Sequence, residues 1–140
     1  MITSNQSNLL ALDIGDAKIG IAIASYPMYL TKPLITLKND QNFIDRLKTI
    51  ISEQNIHTLV VGLPRSLESK STGQTLKVKS FAQELSNRLS LEVFFQDEFL
   101  TSKKAIEILR SHSKQYLKED VDKLAAALIL EDYVKDNVKL

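Results

Sequence analysis

Apolar residues recur along this chain with a period of two in some stretches and of about 3.6 in others, which divides it into strands and helices. Leu9 to Leu12 is apolar without interruption and leads into Asp13, Ile14 and Gly15. Such a run reads as a central strand covered on both faces. After the polar turn Asp16-Ala17-Lys18, the segment from Ile19 to Ala24 alternates. Ile19, Ile21 and Ile23 point one way; Gly20, Ala22 and Ala24 point the other. One sheet face is therefore bulky, and the other admits a helix at close range. Tyr26-Pro27 breaks the strand, and Met28 to Lys38 predicts a third, in which Pro33 indicates an edge position or a bulge.

The helical period then takes over. Asn39 or Asp40 is expected to cap a helix whose apolar stripe is Phe43, Ile44, Leu47, Ile50 and Ile51, ending near Asn55. Thr58 to Gly62 predicts a short buried strand stopped by Leu63-Pro64, and Arg65 to Thr72 predicts an exposed loop. A second helix carries Val78, Phe81, Ala82, Leu85 and Leu89 on one face. Leu91 to Phe95 predicts the next strand, ending in Gln96-Asp97-Glu98. Thr101 is expected to cap a third helix, with Ala105, Ile108 and Leu109 facing inward. Ser111 to Lys118 reads as a polar, mobile connection, and Val121, Leu124, Ala125, Leu128 and Ile129 mark a last helix running to about Lys135.

Strands joined by short turns make an antiparallel meander, whereas strands joined through helices run parallel by right-handed crossover. The expected fold is α/β, one domain over residues 1–140, with a mixed five-stranded sheet in the order 3-2-1-4-5 and helices on both faces. That is the ribonuclease H-like arrangement. The strands beginning near Leu9, Thr58 and Leu91 should be parallel, with their carboxyl ends at one edge, where ligands of open α/β sheets collect.

Composition narrows the setting. At 140 residues the chain is long enough for a core without staples, and it has no cysteine, which excludes disulfides and thiolate metal sites. The N-terminal MITSNQSN lacks the basic and apolar regions of a signal peptide, and no apolar run approaches a membrane span of ~20 residues. A cytoplasmic protein without membrane contact is the expectation. The formal net charge of +1 means that nucleic-acid binding must come from a local patch.

The chemistry lies in the carboxylates at the predicted sheet edge. Asp13 in an apolar strand loses solvation worth several kcal/mol unless a partner compensates. Gly15 and the small residues after it leave room for a bulky one, such as a metal-bound phosphate. The alternative is that Asp13 caps the hairpin turn. Glu98 lies just beyond the last strand and Asp122 in the first turn of the final helix, where the macrodipole favours negative charge. In isolation Asp122 is an ordinary helix-start residue and Glu98 an ordinary loop residue; together with Asp13 they converge. Gathered carboxylates repel unless a cation sits among them. All-oxygen coordination suits Mg²⁺ or Mn²⁺, and two such ions roughly 4 Å apart can clamp a phosphodiester. Asp97 is the substitute for Glu98.

Contacts to nucleic acid are sought among Arg65, Lys70, Lys77, Lys79, Lys103, Lys104, Arg110, Lys114 and Lys118, although each alone reads equally as a solvated surface cation. Thr101 and Ser102 sit where a helix N-terminus offers an anion site, with a plain cap as the other reading of Thr101. His57 and His112 are isolated, and the tyrosines are too scattered for a base-stacking platform.

The blocks ALDIGDAKIGIAIAS, VVGLP, QDEFLTS and DVDKLAAALILEDYV together resemble the signatures of the YqgF (RuvX) family of bacterial ribonuclease H-like proteins. Members are described as nucleases maturing the 5′ end of pre-16S ribosomal RNA, or as Holliday-junction-resolvase-like. The resemblance implies that Asp13, Glu98 and Asp122 are metal-binding catalytic acids. It also implies that the stretch from Gly62-Leu63-Pro64 through Gln74-Thr75 faces substrate, together with Lys18 of the first block. Phe99 stands where the family usually has Arg, Lys18 where Arg is usual, Tyr26 where Asp is common, and Glu68-Ser69 where Asp-Gly is usual. The acids remain, while cations expected near substrate are altered.

Two rival readings belong to other classes. Asp-x-Gly followed by a hairpin Gly also occurs in the phosphate loops of actin-like and sugar-kinase folds, which need two such domains. A nucleic-acid-binding ribosome-assembly factor without catalysis is the other. Between the two nuclease substrates, near-zero charge and the short loop after the second helix favour precursor rRNA over branched DNA. No exposed apolar stripe announces a dimer interface, so a monomer is expected over a dimer, with the pre-ribosome as an expected partner.

Overall fold

The computed structural model describes residues 7–64, 73–112 and 115–139. The expected loop of Arg65 to Thr72, with Arg65, Lys70 and Glu68-Ser69, lies outside these residues, as does Lys114. The elements are β1 (Asn8–Ile14), β2 (Lys18–Ser25), β3 (Leu30–Lys38), α1 (Phe43–Glu53), β4 (Ile56–Pro64), α2 (Gly73–Leu89), β5 (Glu92–Glu98), α3 (Thr101–His112) and α4 (Lys118–Asn137). They form one mixed five-stranded sheet in the order β3-β2-β1-β4-β5. β1 runs antiparallel to β2, β2 antiparallel to β3, and β1, β4 and β5 are parallel. The expected order and directions are observed.

The side-chain alternation of β2 decides what covers each face. Ile19, Ile21 and Ile23 join Leu10, Leu12, Leu59 and Val61 under α1 and α2, where Phe43, Leu47, Val78 and Leu85 close a bulky core. On the opposite face Ala11, Ala22, Ala24 and Val60 pack against Ala126, Ala127, Ile129 and Leu130 of α4. Small residues on both sides let the helix lie close to the strands. α3 packs on α4 through Ala105, Val121 and Ala125.

Pro33 meets both readings offered for it. β3 is an edge strand, and its ladder slips where Ile21 faces Ile35 but Ala22 faces Pro33. Asn55 adopts the left-handed conformation (φ 54) that ends α1. The cap of α1 differs from expectation: the N-cap position is Asn42, and Asp40 accepts its N–H at 2.9 Å from two residues upstream.

The last helix is the more consequential correction. α4 begins at Lys118, within the segment expected to be a polar connection, so Asp122 lies one turn into the helix rather than in its first turn. The start is set by Asp120, whose carboxylate accepts the Leu117 N–H at 2.9 Å. An acid at N3 reaching back to the N-cap backbone is a helix-start device that apolar periodicity does not reveal. Among the described residues no helix is long and apolar enough to cross a membrane.

Candidate metal-dependent active site

Strand register carries the acids to one face. Asp13 pairs with Gly20 across the first hairpin. The Leu12–Val61 pair puts Gly62 beside Asp13; Gly62 pairs with Gln96 and Pro64 with Glu98. Paired residues share a face and the period is two, so Asp13, Gly20, Gly62, Gln96 and Glu98 all belong to the α4 side. Asp97, offset by one, is exposed on the surface. The first hairpin is closed by Gly15 N–H to the Lys18 carbonyl at 3.0 Å, and Asn39 Nδ2 donates to the Gly15 carbonyl at 2.8 Å. Asp13 itself lies inside the ladder.

Gly20 seats the helix that brings Asp122. A Cβ there would lie 2.0 Å from the Asp122 carbonyl oxygen and 2.8 Å from the Lys123 nitrogen. Gly62 does the same further along, where a Cβ would meet Ile129 Cδ1 at 2.4 Å. Two polar ties fasten the N-terminal turn of α4: Thr36 Oγ1 donates to the Glu119 carbonyl at 2.7 Å, and Lys18 forms an ion pair with the Glu119 carboxylate. Gly20→Ala is expected to push this turn away from β2 and destabilise the protein by about 1–3 kcal/mol, the usual cost of overpacking. Thermal melts would measure the loss, and the response of Tm to Mg²⁺ should vanish with it.

The electrostatics follow from this crowding. Burial, then the charges of Glu98 and Asp122, push the Asp13 carboxyl up from 3.8 to about 7, against a smaller opposing pull from Lys118. Asp122 is only 8% exposed, and its Oδ2 is buried without a hydrogen-bond partner. Its other oxygen, Oδ1, accepts from Lys118 Nζ at 2.5 Å. Glu98 turns one oxygen toward α3, where Oε1 accepts from the Thr101 hydroxyl at 2.6 Å and the Thr101 N–H at 3.1 Å.

These observations fit a hard cation in part. The donors are oxygens, the Asp122 Oδ2 orphan points to a missing partner, and the concentration of negative charge around Asp13 calls for a positive one. Among the described residues, however, no three acidic or histidine side chains stand as a ready-made cage around one ion. What the structure brings together is charge: Glu98 and then Asp122 act on Asp13, while Glu98 is also engaged with Thr101.

The remaining sequence-predicted residues are dispersed. Thr101 is buried and is the first residue of α3; the cap to its N–H comes from Glu98. Thr101→Val keeps the shape but removes the hydroxyl tie. It is expected to lower stability by about 1.5–3 kcal/mol, the range for a hydrogen bond to a charged group, while Thr101→Ser keeps the tie and the wild-type Tm in the same thermal melts. Ser102 is exposed beside it, and Gln74 is half-buried in the first turn of α2. Lys18 is held by Glu119. Lys77, Lys79, Lys103, Lys104 and Arg110 are exposed, as are His57 and His112. Sequence reasoning missed the Thr101–Glu98 tie, the contact of Gly20 with Asp122, and the placement of Lys118. The spacing of four between Lys118 and Asp122 was the available signal for the last.

A family profile described as "RuvX: Holliday junction resolvase" matches residues 7–136. A protein of Orientia tsutsugamushi named "Putative pre-16S rRNA nuclease" is 36% identical over 133 residues, covering 93% of this chain and 85% of the relative. One of the same name from Thermoanaerobacter pseudethanolicus is 35% identical over 131 residues, covering 90% and 94%. Among solved structures, T. thermophilus RuvC in complex with a Holliday junction substrate superposes with a TM-score of 0.56 at 11% identity, covering 94% of this chain and 97% of that one. Fowlpox virus resolvase with Holliday junction DNA gives 0.56 at 15% identity, covering 94% and 99%. At such identities these two speak for the fold alone.

Proposed function

The chain belongs to the RuvX family, and from that premise we propose that it is a divalent-metal-dependent endonuclease that hydrolyses a phosphodiester bond in precursor 16S rRNA. The observation that supports the reading is that Glu98 and Asp122 both act on the partly buried Asp13 near the carboxyl end of β1, while one buried oxygen of Asp122 has no hydrogen-bond partner. Asp13 and Asp122 would hold Mg²⁺ or Mn²⁺, with Glu98, steadied by Thr101, as the further oxygen donor. A divalent ion held there would supply a Lewis acid and lower the pKa of a bound water toward neutrality.

The protein's own contribution is placement. Gly20 and Gly62 let α4 lie flat on the sheet, so the acids stand on rigid elements. The N-terminus of α3, with Ser102 exposed, offers donors to a substrate phosphate. Gln74, in the first turn of α2, follows β4 in the chain and is the described residue from that block offered to substrate. A processing nuclease needs one such site and a modest basic rim, in keeping with a net charge of +1, and the reading has it act as a monomer with help from the pre-ribosomal particle. The family's description favours a second substrate, the four-way DNA junction.

The test incubates pure protein with Mg²⁺ or Mn²⁺ and either a precursor rRNA leader or a synthetic four-way junction. Cleavage of the leader at a defined position, abolished by chelator, is the expected result. Symmetric cutting of junctions by a dimer with the leader left intact selects the second substrate. No metal-dependent cleavage of either leaves a non-catalytic binding factor.

A further inference from the structure

Lys118 is in the wrong place for a residue that merely solubilises a helix. It is the first residue of α4, where the helix dipole disfavours a cation. Its pair with Asp122 also runs in the less favourable order, with the lysine on the N-terminal side. Yet its Nζ is 2.5 Å from Asp122 Oδ1 and acts on Asp13 as well. The neighbouring lysines are engaged elsewhere: Lys18 with Glu119, and Lys123 with Asp120 at 3.6 Å. The two partners differ sharply in burial. The Lys118 side chain is 72% exposed, whereas that of Asp122 is 11% exposed and leaves Oδ2 without a partner. The lysine therefore reaches in from solvent to a fixed, buried carboxylate.

We infer that Lys118 is a displaceable counter-ion of the active site, neutralising Asp122 in the metal-free protein and released by an arriving divalent ion to contact a substrate phosphate oxygen. A divalent cation held by Asp122 and Asp13 would repel the ammonium. The long, exposed stem of Lys118 lets it swing outward into solvent at little cost, within reach of an arriving phosphate. Charge is thus exchanged in order: lysine on carboxylate, then metal on carboxylate and lysine on phosphate. No bond is made or broken in this exchange. The site would avoid an uncompensated cluster of carboxylates before metal arrives, and its affinity for nucleic acid would rise once it has.

This inference rests on the metal-site reading above, but its test does not depend on cleavage. Lys118→Met and Lys118→Arg, both at an exposed position, are compared with wild type by calorimetric titration of the metal-free protein with Mn²⁺. Lys118→Met should bind the ion about 2- to 10-fold more tightly, the scale of an exposed ion pair with a divalent competitor, and Lys118→Arg should bind it as wild type does. The affinity for a single-stranded RNA is then measured against salt, in Ca²⁺ or in chelator. In Ca²⁺ the Met variant should lose slope by about 0.7, one phosphate contact on a single strand. In chelator, with the lysine held by Asp122, the slopes should coincide. Unchanged or weakened Mn²⁺ binding by Lys118→Met, or equal slopes in Ca²⁺, overturns the inference. If wild type cleaves neither substrate, the nuclease reading fails while these two measurements still decide the role of Lys118.

Discussion

Asp13→Asn should lose more than about 100-fold of the metal-dependent cleavage rate, beyond the 10- to 100-fold typical of groups that only support metal ligands. The substitution is nearly isosteric, so the ladder pair with Gly20 and the packing of β1 stay in place. What changes is the donor: a neutral amide is a poor ligand for a hard cation, and Asp13 sits at the centre of the acidic cluster. Single-turnover cleavage of the leader RNA at saturating Mg²⁺, with circular dichroism to verify the fold, is the measurement. A variant that cleaves within about threefold of wild type would mean that Asp13 is structural and the catalytic assignment is wrong, since so small a change is below 1 kcal/mol.

The same residue should govern the stability of the metal-free protein. Its carboxyl is raised from 3.8 to about 7 in the folded chain, by burial first and by Glu98 and Asp122 next. The folded state therefore holds this proton more tightly than the unfolded state. The associated stability is complete below about pH 4 and drains away as pH rises through about 7. In chelator, wild type should lose up to about 4 kcal/mol from this source between pH 4 and pH 8. Asp13→Asn, which cannot ionise, removes that dependence. It should be the more stable protein at pH 8, with Tm higher by roughly 5–10 °C, and the less distinct one at pH 5. Mg²⁺ should raise the Tm of wild type at pH 8 and leave that of the variant unchanged. Parallel melts at both pH values, with and without Mg²⁺, give all four comparisons. Wild type at least as stable as the variant at pH 8 in chelator would show that Asp13 is well compensated without metal.

Local pattern by itself determined most of the architecture. The isoleucine and small-residue alternation of β2 already separated a bulky face from one that admits a helix at close range, because a period of two leaves a strand only one way to bury its bulk; which helices cover each face was decided by the tertiary structure. Asp13 stood out for a related reason: a carboxylate at the end of an apolar run has no cheap local explanation, and short turns against helical crossovers dictated which strands were parallel. Tertiary structure alone decided how the acids are held. The Lys18–Glu119 pair spans 101 positions, and the bond from Thr36 to Glu119 spans 83. Polar side chains carry no period that announces such partners. Lys118 was hidden more simply, since the start of α4 is set by a carboxylate reaching back to the backbone and not by apolar spacing. Gly20 was legible as small, but only the helix lying across it shows that its missing side chain is the space in which the backbone of Asp122 sits. Periodicity records which face is buried; contacts between distant polar groups depend on where the chain finally closes on itself.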